Sequence, residues 1–398
     1  MRVVVYPHAM ELGGSQMNAI QLAAAVRDRG HEVVVVSEPG ELVSLVRDYG
    51  LEHVEIPLER SRPSRRVVGV LDRVVKERGI DVVHGYEWPP AFEAFYGPGL
   101  RGAAAPIATV MSMSVVPFFP RTIPLIVGTE EIRAEAVAAG HHRVTLLEPP
   151  VDTDADHPDV SGAEFRKEYD LHDGLLIVMV TRLVPDLKRP GLLAACDAVA
   201  ELDGVQLAIV GDGPCRDEIA ERAAAANARA GRRAVVMTGA LSDPRPAYAA
   251  ADISIGMGGS ALRALSFGKP LVVVGEDGFS ELLTPETLPR FLSAGWFGIG
   301  GDGVPALREA LRRLSESSSL RAELGEFGRK LVVDRFSLRR AAELQESEYE
   351  AAMAFRTSGG VRALDVVRSA SGLATYKVKR KISRLRGRLV VDDANARR

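Results

Sequence analysis

Cysteine is close to absent: Cys196 and Cys215 are the two in the chain. Two thiols make neither a disulfide framework nor a zinc-ligand set, and such usage fits a reducing cytoplasm. Long apolar runs are scarce as well. Residues 103–120 carry no charge, but prolines and serines interrupt them, so they read as a buried strand and a loop rather than a membrane-spanning helix. Met1-Arg2-Val3-Val4-Val5 is too short for the apolar stretch of a secretory leader and reads as a first strand. Neither charge sign is in excess. Lys+Arg number 50 against Asp+Glu 53, which argues against nucleic-acid binding through bulk charge. Hydrophobic residues make up 46% of 398, enough for two cores and too many for a disordered chain.

What the chain does have is a repeated alternation of short apolar runs and helical stretches. Runs at 3–6, 33–36, 52–56, 81–85, 106–110 and 125–129 read as strands, with helices between them closed by Gly30, Gly50 and Gly140. The continuous Val/Ile character of these runs suits parallel strands covered on both faces. Pro149 and Pro150 stiffen an exit near residue 150. After Asp173-Gly174 the alternation restarts, with strands at 175–180, 205–210, 235–237 and 271–275. A split near residue 155 predicts two doubly wound α/β domains with a cleft between them. Residues 307–336 and 338–355 read as long helices.

One stretch organises the second run. Ala251-Asp252-Ile253-Ser254-Ile255-Gly256 reads as a strand, Met257-Gly258-Gly259 as a turn, and Ser260-Ala261-Leu262-Arg263 as the start of a helix that Ser260 caps. Free amides at such a helix start favour an anion. The same pattern also serves as a plain tight turn. Upstream, Thr181-Arg182-Leu183-Val184-Pro185-Asp186-Leu187-Lys188 is a polar loop following a strand, and Gly211-Asp212-Gly213-Pro214 follows the next. In the first run, Gly13-Gly14 open a helix. His84 ends a strand and Glu87-Trp88-Pro89-Pro90 follow in a loop. His84 is either a satisfied core histidine or a ligand-facing residue at the edge where α/β proteins bind ligands. Glu59-Arg60-Ser61-Arg62-Pro63-Ser64-Arg65-Arg66 is a basic loop, either a solvated surface or a site for an acceptor phosphate or a membrane.

The order and spacing of these motifs resemble the retaining GT-B glycosyltransferases of family 4, over residues 1 to about 345. Gly13-Gly14 matches the family's first loop, near the donor phosphates. Pro150-Val151-Asp152 matches its Asn-Gly-Val-Asp linker, and Thr181-Arg182-Leu183 with Lys188 its Gly-Arg-Leu…Lys-Gly loop. Gly211-Asp212-Gly213-Pro214 matches Gly-x-Gly-Pro, Thr238-Gly239 the glycine near the base pocket, and Gly268-Lys269-Pro270 the family's Gly-x-Pro. The resemblance implies a GT-B fold of two Rossmann-like domains facing a central cleft. Residues 1–155 would form the acceptor-side domain, 156–345 the nucleotide-sugar domain, and 346–398 a C-terminal helix and basic tail. It implies a metal-independent, cytoplasmic hexosyltransferase in carbohydrate biosynthesis. Such an enzyme moves a sugar from a nucleotide diphosphate-sugar, as substrate rather than cofactor, to a glycan, lipid-linked or small-molecule acceptor with retention of configuration. Arg182 and Lys188 would hold the donor diphosphate, which suits two cations beside a glycine-rich helix start. Gly13, Gly14, Gly211, Gly239, Gly258, Gly259, Ser260, Ala261, Arg263 and Glu281 complete the expected donor site. His84 and Glu87 would orient the acceptor. Asp152-Thr153-Asp154 is an Asp-x-Asp in letters but falls in the linker, so no metal is expected.

Two departures stand out. Arg263 occupies the place of a glutamate that holds the donor ribose in the family, and Ile255 that of a second glutamate. Met111 in Met111-Ser112-Met113-Ser114 follows Thr109-Val110 where a histidine is usual. An arginine accepts no hydrogen bond from a ribose hydroxyl but clasps phosphate or carboxylate. Arg263 therefore binds the diphosphate, binds a carboxylated sugar, marks a chain that has lost catalysis, or faces solvent. The competing reading is a non-catalytic GT-B protein that binds a nucleotide sugar or supports an active partner. A nicotinamide dehydrogenase is disfavoured because neither half carries Gly-x-Gly-x-x-Gly.

Beyond a break at Thr357-Ser358-Gly359-Gly360, residues 376–388, from Tyr376 to Arg388, carry Lys377, Lys379, Arg380, Lys381, Arg384, Arg386 and Arg388 with no acid. Val378, Ile382, Leu385 and Leu389 share a helical face. This basic amphipathic pattern fits peripheral contact with the inner face of an anionic membrane, a solvated tail, or docking on the protein itself.

Overall fold

The computed structural model describes residues 1–11, 13–59, 61–112, 114–355 and 358–385. Arg60, Met113, Thr357, Arg386, Arg388 and Leu389, named above, lie outside them. The chain divides into two units, Met1–Pro149 with Leu338–Arg398, and Pro150–Ser337. The chain therefore passes into the second unit at Pro150 and returns at Leu338.

The first unit holds a seven-stranded parallel sheet: β1 (Arg2–Tyr6), β2 (Glu32–Ser37), β3 (Glu52–Glu55), β4 (Val82–Tyr86), β5 (Ala105–Val110), β6 (Leu125–Val127) and β7 (Val144–Leu146), in the order β3-β2-β1-β4-β5-β6-β7. The second holds six strands: β8 (Leu175–Val180), β9 (Val205–Val210), β10 (Val235–Gly239), β11 (Ile253–Gly256), β12 (Leu271–Val274) and β13 (Ser280–Leu282), in the order β10-β9-β8-β11-β12-β13. β13 alone runs antiparallel, against β12. Each unit is doubly wound and Rossmann-like.

Apolar strands explain the layering. β9 is buried along its whole length, because helices cover both faces of the sheet. On one face Ile177, Leu207 and Ile253 pack against Leu192, Val199 and Leu311. On the other, Val178 and Ala208 meet Phe165 and Ala247. Each fully buried Leu or Ile contributes about 2 kcal/mol. In the first unit Val3, Val5 and Val35 pack on the helix Gly14–Asp28, and Val4 and Val36 pack on the helix Arg65–Arg78.

Several elements depart from the sequence pattern. Trp88–Ala94 is helical although Pro89 and Pro90 read as loop, since proline fits a first helical turn. The stretch 307–336 is two helices, Val304–Glu316 and Ser318–Phe336, broken at Ser317, whose hydroxyl caps the second by accepting from Leu320 N at 3.2 Å. Gly359 and Gly360 are not a break but the first turn of a helix, Gly359–Leu385. In the basic loop, Arg62 is half-buried and paired rather than solvated. It pairs with Glu93 and, at 2.7 Å, with Glu38, whereas Arg65 and Arg66 are exposed.

Candidate functional site

The strand order of the second unit reverses between β8 and β11, so their following loops diverge and leave a crevice at the strand ends. The loop leaving β8 carries Arg182 and Lys188. Backbone bonds fix it to the β9 loop: Thr181 N donates to Val210 O, Leu183 N to Asp212 O and Cys215 N to Leu183 O, at 2.9, 2.9 and 2.8 Å. Gly211 makes this possible. A Cβ there would lie 1.8 Å from Thr181 O, so any side chain would push the loops apart. Gly211 N in turn donates to Gly239 O at 2.9 Å, which ties in the end of β10. Gly211 and Gly239 thus build the edge.

Arg182 is exposed and Lys188 half-buried at the N-cap of the helix Arg189–Ala200. Burial, then repulsion from Arg182, pulls the Lys188 ammonium down to about 8. Asp186 and Asp212 stand on the same loops, but Asp212 Oδ1 accepts from Gly213 N at 2.7 Å. Among the described residues no carboxylate pairs with Arg182 or Lys188. Two unneutralised cations held together raise the free energy of the empty site, and an anion relieves it.

Across the crevice, Gly258 caps the helix Gly259–Ser266 with φ +56°, a conformation that disfavours side chains. Ser260 does not cap, contrary to expectation. Its hydroxyl donates to Met257 O at 3.0 Å. Ala261 and Leu262 amides donate to Gly258 O at 3.1 and 3.3 Å, which leaves the Gly259 and Ser260 amides at the helix start without an acceptor among the described residues. Two helix starts and two cations therefore meet one strand edge, an arrangement suited to a polyanion.

Arg263, on the helix Gly259–Ser266, is engaged within the unit. Its Nε donates to Asp156 Oδ2 at 2.7 Å. Burial raises the Asp156 carboxyl, and Arg263 offsets part of that rise. Arg329 holds the same segment by donating to Thr153 O, Asp156 O and Ser266 O at 3.1, 3.0 and 2.7 Å. The two arginines clamp the entering chain onto the unit. Glu281 sits in the edge strand β13 and accepts from Arg290 at 2.8 Å, so its charge is also taken. Asp152 Oδ1 accepts from the amides of Asp154 and Ala155 at 3.2 and 3.0 Å, a local turn. Among the described residues no three His, Cys, Asp or Glu converge to hold a metal ion.

The first unit reverses its strand order between β1 and β4. Gly13 caps the helix Gly14–Asp28 there in extended backbone. Glu87, at the end of β4, is buried with φ +67°. Its Oε1 accepts from Met111 N, Ser112 N and Ser15 Oγ at 2.9, 3.2 and 3.3 Å, and its Oε2 from Ser112 Oγ at 2.8 Å. Burial lifts its pKa above the ordinary carboxylate value, and these donors counter the rise. Glu87 therefore fastens the helix start to the β5 loop. His84 is fully buried, with Nδ1 2.9 Å from Tyr349 Oη and Nε2 2.7 Å from Thr109 Oγ1. Burial drives its pKa to about 3, so it stays neutral within the core. Ser15 and Ser112 were the residues sequence reasoning missed. A serine's partner in another loop leaves no local trace.

Residues 174–317 match the family described as Glycosyl transferases group 1. The match covers the second unit's sheet, including Arg182, Lys188 and Gly258. No curated protein matches the chain. Among solved structures, a glycosyltransferase from Rickettsia africae superposes with a TM-score of 0.72 at 16% identity, over 88% of this chain and 98% of that one. HepE from Anabaena, in complex with UDP, gives 0.70 at 15% over 88% and 100%. Sucrose-phosphate synthase from Thermosynechococcus elongatus gives 0.63 at 16% over 89% and 100%. The fold is that of the GT-B glycosyltransferases.

Proposed function

We propose that this chain is a glycosyltransferase that takes a sugar from a nucleotide diphosphate-sugar. The observation that carries the reading is the unneutralised pair Arg182 and Lys188 on the loop after β8, beside the strand β11 whose following helix starts with the free amides of Gly259 and Ser260. The match of residues 174–317 to a glycosyltransferase family supports it, as does likeness to a protein solved with UDP. In this reading the second unit holds the donor. Arg182 and Lys188 take the diphosphate, and the Gly259 and Ser260 amides take further phosphate oxygens. Their charge stabilises the diphosphate as it leaves, which lowers the barrier because negative charge grows there in the transition state. Donor cleavage and acceptor attack on one sugar face, with retention, and a hexosyl donor follow from the resemblance in these loops. The acceptor side falls to the first unit, where Glu87 sets the loop geometry rather than touching the reacting atoms.

Calorimetry of the purified chain against UDP, GDP, ADP and dTDP and their sugars tests this. Tight binding of one diphosphate, with turnover to a product of retained anomeric configuration, is expected. Binding without turnover favours a non-catalytic GT-B protein, and no binding at all contradicts the reading.

A further inference from the structure

The helix Gly359–Leu385 has two unlike faces. The inner one is joined to the first unit. Asp365 Oδ2 accepts from the amides of Arg121 and Thr122 and from the Thr122 hydroxyl, at 2.7, 2.9 and 2.8 Å. Ser369 Oγ lies 2.7 Å from Tyr96 Oη. The Tyr376 ring packs on Trp88 and Phe118, with centroids 6.1 and 5.2 Å away. Residues at this three-and-four spacing share one side of a helix.

The opposite side has no such partner among the described residues. Leu364, Val367, Val378 and Ile382 are 74%, 67%, 58% and 42% exposed. Their spacing sets them in one stripe, with exposed Ser371 and Ala374 between. From residue 366 to 385 the helix has no acid. Lys377, Lys379 and Lys381 are exposed beside the stripe. In a chain with slightly more acids than bases, this is a local concentration of positive charge.

We propose that this outer face rests on an anionic membrane surface, with the aliphatic stripe below the headgroups and the lysines among them. Three observations favour a bilayer over a protein partner. The charge is of one sign and lies alongside the stripe, as an anionic surface requires. The stripe is narrow, about 27 Å long at the helical rise, and wholly aliphatic. Protein interfaces centre instead on buried aromatic anchors, and the helix's one aromatic, Tyr376, faces inward. Among the described residues no helix is long and apolar enough to cross a membrane, so the contact lies in the interfacial plane. The surface also differs from the one that the sequence pattern suggested. It runs from Leu364 to Ile382 and excludes Tyr376. The proposal does not rest on the nucleotide-sugar reading.

Co-sedimentation of the full chain tests it, with vesicles of phosphatidylcholine alone and with phosphatidylglycerol added to about one third, enough for a negative surface potential. Binding is expected only to the anionic vesicles, and added salt weakens it. Val378→Glu and, separately, Leu364→Ser with Val367→Ser abolish or sharply weaken it without changing the circular dichroism, because these side chains point outward. Lys379→Gln and Lys381→Gln each weaken it about five-fold. No sedimentation with either vesicle overturns the proposal, as does equal sedimentation with both. A concentration-dependent dimer that Val378→Glu dissolves, without vesicle binding, assigns the face to a second copy and overturns it too. Nucleotide binding, followed in parallel, is unmoved by these changes.

Discussion

The two sheets present the same topological feature with opposite electrostatics. At the end of β4 a single carboxylate, Glu87, sits among four donors. At the end of β8 two cations, Arg182 and Lys188, sit with no carboxylate partner among the described residues. Both edges open a helix with a glycine cap, Gly13 in one and Gly258 in the other. Topology therefore makes two crevices, and unspent charge distinguishes the one that calls for a ligand. Glu87 satisfies loops that belong to its own unit. In the proposed reading Arg182 and Lys188 are neutralised by the donor diphosphate.

The contrast can be broken from either side. The largest effect is expected from Glu87→Ala, which strands two amides and two hydroxyls. It costs the folded chain about 3 kcal/mol in urea unfolding and leaves diphosphate binding unchanged. A stable variant with weakened nucleotide binding would reverse the roles of the two edges. Next comes Arg263→Ala, which leaves buried Asp156 unpaired. Breaking the pair costs about 2 kcal/mol, discounted because the guanidinium is about a third exposed. Its diphosphate affinity should stay within about two-fold, and Asp156→Asn added to Arg263→Gln should recover part of the stability. A ten-fold or larger loss of affinity would return Arg263 to the site. The smallest effect is on pH dependence. Lys188 is charged below about 8 and loses its charge above, and a bound anion favours the charged form. Affinity for inorganic pyrophosphate is therefore highest below pH 8 and falls about ten-fold from pH 7 to pH 9. Lys188→Arg removes the dependence, and a flat profile for the unaltered chain would contradict the assignment.

Much of the fold was legible in the sequence because buried parallel strands are continuous apolar runs. β8, β9 and β12 stand out without ambiguity, and the restart after Gly174 marks the second sheet. The edge strands β7 and β13 leave no continuous apolar run, because Thr145 and Ser280-Glu281 interrupt them, whereas the equally short β6 is Leu-Ile-Val throughout. At the site, the glycines and the Arg182–Lys188 loop were visible as motifs with a local physical meaning. The partners were not. Asp156 lies 107 residues from Arg263, and Ser112 lies 25 from Glu87. Nothing local in the sequence says that an arginine on a helix is already paired, that His84 is closed in by Thr109 and Tyr349, or that Tyr376 joins Asp365 and Ser369 on the inner face of the basic helix. Charge is visible in letters, and its neutralisation only in space.

The central claim is that Lys188 and Arg182 recognise a diphosphate. The direct test is calorimetric titration of Lys188→Ala with the tightest-binding nucleoside diphosphate and with its nucleoside. Loss of one charge-assisted contact should weaken the diphosphate by about 10- to 100-fold and leave the nucleoside unchanged. Equal losses for both ligands, or none for the diphosphate, would contradict the account.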